Sequence, residues 1–174
     1  CSKRLASFIV MKILSIGSDR NIFNEKSDVR DRVIQYSKFV EEMHVVVFSL
    51  KKYKLQDKTF ENVYIYPTNS KNRWSYVFDA VKIGKKIATN YQLKSTDSLI
   101  TCQDSFEAGF VGWLIKSKTK IPLHLQIHTD LLSPFFSKES FLNKIRVLLA
   151  KFIIMHADCI RVVSERIKNS LISK

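Results

Sequence analysis

From Lys12 onward, short apolar runs alternate with longer stretches whose apolar residues recur at helical spacing. Lys12 to Gly17 reads as a strand ending on a single glycine. A polar loop, Ser18 to Asn24, leads to a helix over about Ser27 to Glu42, with Val29, Val33, Tyr36 and Val40 as its apolar stripe. His44 to Leu50 is β-branched and apolar, the composition of a buried strand. Lys51 to Lys58 reads as a basic loop, and Asn62 to Tyr66 as a strand closed by Pro67. A helix beginning at Ser70 to Arg73 and running to about Tyr91 sets Val77, Val81, Gly84 and Ala88 along one side.

The second half repeats the rhythm. Ser98 to Cys102 is a strand, Gln103-Asp104-Ser105 a turn, and Phe106 to Lys116 a helix in which Gly109 and Gly112 allow close approach to a sheet. Ile121 to Asp130 holds the next strand: Leu123, Leu125 and Ile127 point one way, His124, Gln126 and His128 the other. A loop through Pro134 follows, then a helix over about Lys138 to His156 that is expected to carry Leu142, Ile145, Leu149, Phe152 and Ile153 inward. Cys159 to Val163 is the last strand, and Ser164 caps a final helix. About six strands separated by helices predict an α/β, Rossmann-like, doubly wound parallel sheet in three layers, with right-handed crossovers.

Length and composition support one domain with a real core: 174 residues, 45% of them hydrophobic. Charge adds a partner class. The excess of 29 Lys and Arg over 16 Asp and Glu gives a net charge of +13, which favours phosphates, nucleotide sugars, nucleic acid or an acidic membrane surface. Cys102 and Cys159 sit in apolar runs and are expected as buried free thiols, consistent with a cytoplasmic protein. No apolar run approaches the roughly 18 residues of a spanning helix. Because the chain opens on Cys1 rather than Met, residues 1–10 read as non-native or upstream sequence, with Met11 as the initiator.

Open α/β sheets hold ligands beyond the carboxyl ends of their strands, so chemistry is sought there first. The loop Gly17-Ser18-Asp19-Arg20 occupies the usual phosphate position but lacks both G-x-G-x-x-G and G-x-x-x-x-G-K-[ST], which argues against a dinucleotide cofactor or an ATP P-loop. It reads either as an acceptor loop or as plain surface. Asp104, three residues before Glu107, resembles a capping box, and it also lies at a strand end. His124 and His128 do not make a metal site: strand residues four apart are separated by about 13 Å, whereas ligands of one zinc each lie about 2 Å from it. His124 is expected under a helix. His128, terminal and beside Thr129 and Asp130, is the better functional candidate. Ser164 with Glu165 reads as a helix cap, and without a G-x-S-x-G elbow no Ser-His-Asp hydrolase follows. The helix near Lys138 to Ala150 mixes Phe141, Leu142 and Leu148 with Lys144, Arg146 and Lys151. It suits either an anionic membrane surface or the chain's own sheet.

Several stretches together resemble the amino-terminal domain of family 4 glycosyltransferases of the GT-B architecture. They are Met11 to Ile16 with the loop Ser18 to Phe23, Thr101 to Gly109, Ile121 to Asp130, and Ala157 to Glu165. The resemblance runs from Met11 to Lys174. It implies an acceptor-binding half, with a donor-binding carboxyl-terminal domain expected outside this chain. The implied enzyme retains anomeric configuration, is metal-independent, and moves a sugar from a nucleotide-sugar donor to a glycan, lipid-linked or other acceptor. It uses the nucleotide sugar as substrate and no further cofactor. On the same resemblance His128 is the catalytic residue, reaching the donor sugar and phosphate. Asp104, Thr129 and Asp130 line that wall, Ser18, Asp19 and Arg20 face the acceptor, and Arg161 and Ser164 lie on the cleft side of the last strand. Gly17 stands alone where many members carry paired glycines, and the fragment by itself is expected not to turn over.

The alternative is a stand-alone basic binding module for nucleic acid or a membrane surface. Nucleic acid is the less expected partner, because the basic residues are spread over many segments without a reader motif. A peripheral position at the inner face of the membrane suits either reading.

Overall fold

A computed structural model of the chain describes residues 11–131, 136 and 140–172. Seven strands, β1 (Lys12–Gly17), β2 (Glu42–Val47), β3 (Lys58–Phe60), β4 (Val63–Pro67), β5 (Ser98–Cys102), β6 (Leu123–Ile127) and β7 (Cys159–Val162), make one sheet in the order β3-β4-β2-β1-β5-β6-β7. Every neighbouring pair is parallel except β3 with β4. The described helices are α1 (Asp28–Ser37), α2 (Tyr76–Asn90), α3 (Glu107–Thr119), α4 (Phe141–His156) and α5 (Glu165–Ile172). This is the doubly wound, Rossmann-like α/β fold that the alternation of patterns predicts. Residues 1–10, read above as non-native or upstream sequence, and the loop around Pro134 lie outside the described residues, as does the expected start of α4 at Lys138.

The chain builds outward from β1 to β2 and β4, then crosses to β5 and continues to β6 and β7. The strand order therefore reverses between β1 and β5, which is the switch point where such sheets open a crevice. On one face Leu14, Ile16, Val46, Ile100, Cys102, Leu123 and Leu125 meet residues of α2, α3 and α4, among them Ala80, Val111, Ile115 and Ile153. On the other face Met43, Val45, Val47, Val63 and Ile65 receive Val29 and Val33 of α1. Gly112 sets the depth at which α3 lies. A Cβ there would stand 2.5 Å from Cys102 Sγ and 2.7 Å from Leu123 Cδ1, so any side chain would lift the helix off β5 and β6.

Four expectations are corrected. The sheet has a seventh strand, because the end of the supposed basic loop is β3, turned back on β4 through Glu61 at φ 50°. The first helix stops at Ser37 rather than Glu42. The Asn62 side-chain amide donates to the carbonyls of Ser37 (2.8 Å), Val40 (2.9 Å) and Glu41 (3.1 Å), satisfying the acceptors a longer helix would have used. Cys102 is buried as expected, but Cys159 is exposed on the last strand. Of the α4 residues expected inward, Ile153 is buried and Leu149 and Phe152 pack against the same core beside Ala150, while Leu142 and Ile145 are turned outward. Among the described residues no helix is long and apolar enough to cross a membrane.

Candidate functional site

Four loops meet at the carboxyl rim of the sheet, following β1, β5, β6 and β7. At the switch point Gln103 donates its backbone N–H to the Ile16 carbonyl (3.0 Å), and its side-chain amide lies over Gly17. A methyl group on Gly17 would overlap that amide, so a larger residue there would require the Gln103 side chain to swing aside. In the adjoining loop Ser18 is exposed. Asp19 Oδ1 accepts from the Asn21 N–H (3.0 Å), capping a 3-10 turn at Arg20–Phe23, and the Arg20 guanidinium lies 4.5 Å from the centre of the Tyr53 ring.

The acids of the next two loops are engaged locally. Asp104 is half-buried, and its Oδ1 accepts from the N–H groups of Phe106 (2.8 Å) and Ala108 (3.2 Å) at the start of α3. The expected capping box does not close: Glu107 Oε1 instead pairs with Arg146 Nη2 of α4 at 2.6 Å. Burial, with the Glu107 charge added, pushes the Asp104 carboxyl above its ordinary value, only partly countered by the two backbone donors. Asp130 Oδ2 accepts from Arg166 Nε (3.0 Å) and pairs with its Nη2 (2.9 Å), and its Oδ1 accepts from the Ser170 hydroxyl (3.3 Å). It thus ties the end of β6 to α5.

Two groups of the β6 loop remain open. His128 and Thr129 are exposed, and the His128 ring has no hydrogen-bond partner among the described residues. Ser164, also exposed, accepts from the Ile167 N–H (3.3 Å) as the cap of α5 and keeps its own proton free to donate. His128 and Asp104 follow adjacent parallel strands and share the rim, yet only the histidine is uncommitted. The rim therefore presents an imidazole, hydroxyls and a guanidinium to whatever lies beyond it. Such a set can donate hydrogen bonds and place positive charge. Among the described residues, the rim carboxylates Asp19, Asp104, Asp130 and Glu165 all have partners. Among the described residues no three His, Cys, Asp or Glu side chains converge as a metal site would need.

A second polar cluster runs down the face of β5, β6 and β7 opposite α3 and α4. Register places Thr101 beside His124 and Gln126 beside Arg161. Thr101 Oγ1 lies 2.9 Å from His124 Nδ1 and accepts from Gln126 Nε2 (3.2 Å). Burial and the nearby Arg161 charge hold the His124 imidazole below its ordinary value, so it is neutral. His124 does not sit under a helix as expected: α1, on the same side of the sheet, packs over β2 and β4 instead, and Arg161 is exposed beside Gln126. Sequence reasoning set Gln103 at the strand end with Asp104 but missed the pairing of Thr101 with His124 and Gln126. Alternation marks which side His124 and Gln126 face, but their link to Thr101 depends on strand register, which alternation does not give.

No protein-family model matches the chain, and no curated protein matches it in sequence. Among solved structures it is similar to the UDP-GlcNAc 2-epimerase from Methanocaldococcus jannaschii, with a TM-score of 0.57 and 15% sequence identity. The likeness is one of fold. It covers 94% of this chain and 42% of that one, so the chain spans less than half the length of the enzyme it matches.

Proposed function

We propose that the chain is one Rossmann-like half of an enzyme acting on sugar nucleotides, and that it forms the acceptor side of a retaining glycosyltransferase. Support comes from the fold shared with a sugar-nucleotide enzyme, from the +13 net charge, and above all from the rim. The observation that carries the reading is the contrast within that rim: Asp19, Asp104 and Asp130 are committed to backbone donors or an ion pair, while His128 is exposed and free. A site whose described residues include a free imidazole and no free carboxylate suits a reaction whose leaving phosphate takes the acceptor proton. His128 then positions the donor and stabilises charge on the departing oxygen, acting through electrostatics. Thr129 lines the donor wall beside His128, Ser18 and Arg20 offer hydrogen bonds to acceptor hydroxyls, and Ser164 and Arg161 flank the same end of the sheet.

The test is an incubation of the full-length protein with a panel of nucleotide sugars and glycan or lipid-linked acceptors, following release of nucleoside diphosphate and the glycosylated product. His128→Ala is expected to lower kcat/KM by on the order of 100-fold, the scale of losing one preorganised donor. Unchanged turnover in that variant would remove His128 from the mechanism. A second reading, epimerisation of the sugar on its nucleotide, is favoured by the likeness to the archaeal enzyme. The same incubation separates the two, because an epimerase converts the donor with no acceptor present.

A further inference from the structure

The outward side of α4 is apolar. Phe141 is 77% exposed, Leu148 70% and Met155 74%, with Leu142 and Ile145 exposed beside them. Positions 141, 145, 148 and 155 recur at helical spacing, so these side chains form one stripe along the solvent side of the helix. The inward side is already satisfied by Ala150 and Ile153, the latter in the core against α3 and the sheet. Lys144 and Lys151 are exposed seven residues apart along one border of the stripe. At its far end Trp113, Lys116, Ser117, Lys120 and His156 line a shallow cleft. Lys116 is spent on Asp158 (2.6 Å) and the His156 carbonyl (2.7 Å), which leaves Lys120 as the exposed cation of that cleft.

We propose that this face of α4 is a docking surface for a bilayer containing anionic phospholipid, the helix lying in the plane of the interface. Apolar side chains enter the acyl boundary, and Lys144, Lys151 and Lys120 meet phosphates at the headgroup level. Trp113 at the cleft is the residue type that interfaces favour. Charge decides against a second copy of the chain: a face-to-face pair would oppose the same lysines and add two charges of +13, whereas an acidic surface complements both. Because α4 rests on a face of the sheet, docking leaves the carboxyl rim open. The proposal does not depend on the sugar chemistry.

Co-sedimentation with phosphatidylcholine vesicles, with and without phosphatidylglycerol, tests it. The wild-type chain is expected to bind the mixed vesicles and to be released by salt. Leu148→Glu with Met155→Glu, at exposed positions where folding can be checked by circular dichroism, should lower partitioning by roughly tenfold or more. Lys144→Glu with Lys151→Glu should abolish the preference for phosphatidylglycerol. Binding that ignores lipid charge and salt overturns the proposal, as does wild-type protein that leaves vesicles unbound. Should the unbound protein instead form a dimer that Leu148→Glu with Met155→Glu dissociates, the stripe is a self-interface. The salt dependence of the wild type is read without any variant, so a misfolded double variant does not spare the proposal.

Discussion

The two halves of the sheet are covered differently. Around β2 and the end of β1 the strands are buried on both faces, with α1 on one side and α2 on the other. Around β5, β6 and β7, α3 and α4 cover one face, and the other carries Thr101, His124, Gln126 and Arg161. Their sequences differ accordingly. From Met43 to Val47, β2 is buried at every residue, whereas β6 alternates buried Leu123, Leu125 and Ile127 with half-buried His124 and Gln126. A nearly continuous apolar run is the pattern of a strand between two helix layers, and strict alternation is that of a strand with one apolar side. The contrast is between two environments on a single sheet.

Core truncation should break the symmetry most visibly. Ile65 is fully buried between the sheet and α1, and Ile65→Ala is expected to lower the unfolding free energy by about 3 kcal/mol in urea titrations. Gln126→Ala, at the polar end of the same sheet face, should lower it by less than about 1 kcal/mol. Comparable losses at the two positions would mean that the polar end of this sheet face is as tightly built as the end beneath α1.

Acid sharpens the comparison, since each half holds a histidine with a depressed pKa. His44 is fully buried, and burial lowers its pKa against the opposing Glu42 hydrogen bond. His124 is lowered by burial and by Arg161. Both are neutral in the folded chain, while the unfolded chain takes up protons at the ordinary value of 6.5. No stability is at stake above that value. As pH falls below it the unfolded state binds more protons, and stability declines until the folded pKa is reached. Thermal melts between about pH 8 and pH 5.5 should show this fall, with His44→Gln flattening the profile more than His124→Gln. The smallest effect belongs to Arg161→Ala, which should shift stability by no more than about 0.5 kcal/mol. Removing that charge should nevertheless raise the His124 pKa, visible in an NMR titration of its ring.

Strand positions were legible because they rest on local pattern: β1 and β5 begin and end where the apolar runs do, at Lys12–Gly17 and Ser98–Cys102. β3 was not, since three residues are too few to show alternation. The early end of α1 depends on Asn62, which is distant in sequence. The phase of α4 was hidden because apolar residues surround most of its circumference. What selects the inward side is close approach: a Cβ on Gly109 of α3 would lie 3.2 Å from Ile153 Cγ2. The rim shows the same division. That Asp104, His128 and Asp130 end strands could be read directly, but the capture of Asp130 by Arg166 and Ser170, 36 and 40 residues on, could not.

The margins of the sheet bear on how the protein behaves when crowded. One margin is β3, three residues long, whose Lys58 reaches the Phe23 carbonyl at 3.0 Å. The other is β7, four residues long with Arg161 among them. An unpaired margin can template a foreign strand, and brevity with an embedded cation is how natural sheets discourage it. Neutralising Arg161 beside exposed Ile160 and Val163 would take the cation from that margin and leave a shorter list of obstacles to a foreign strand.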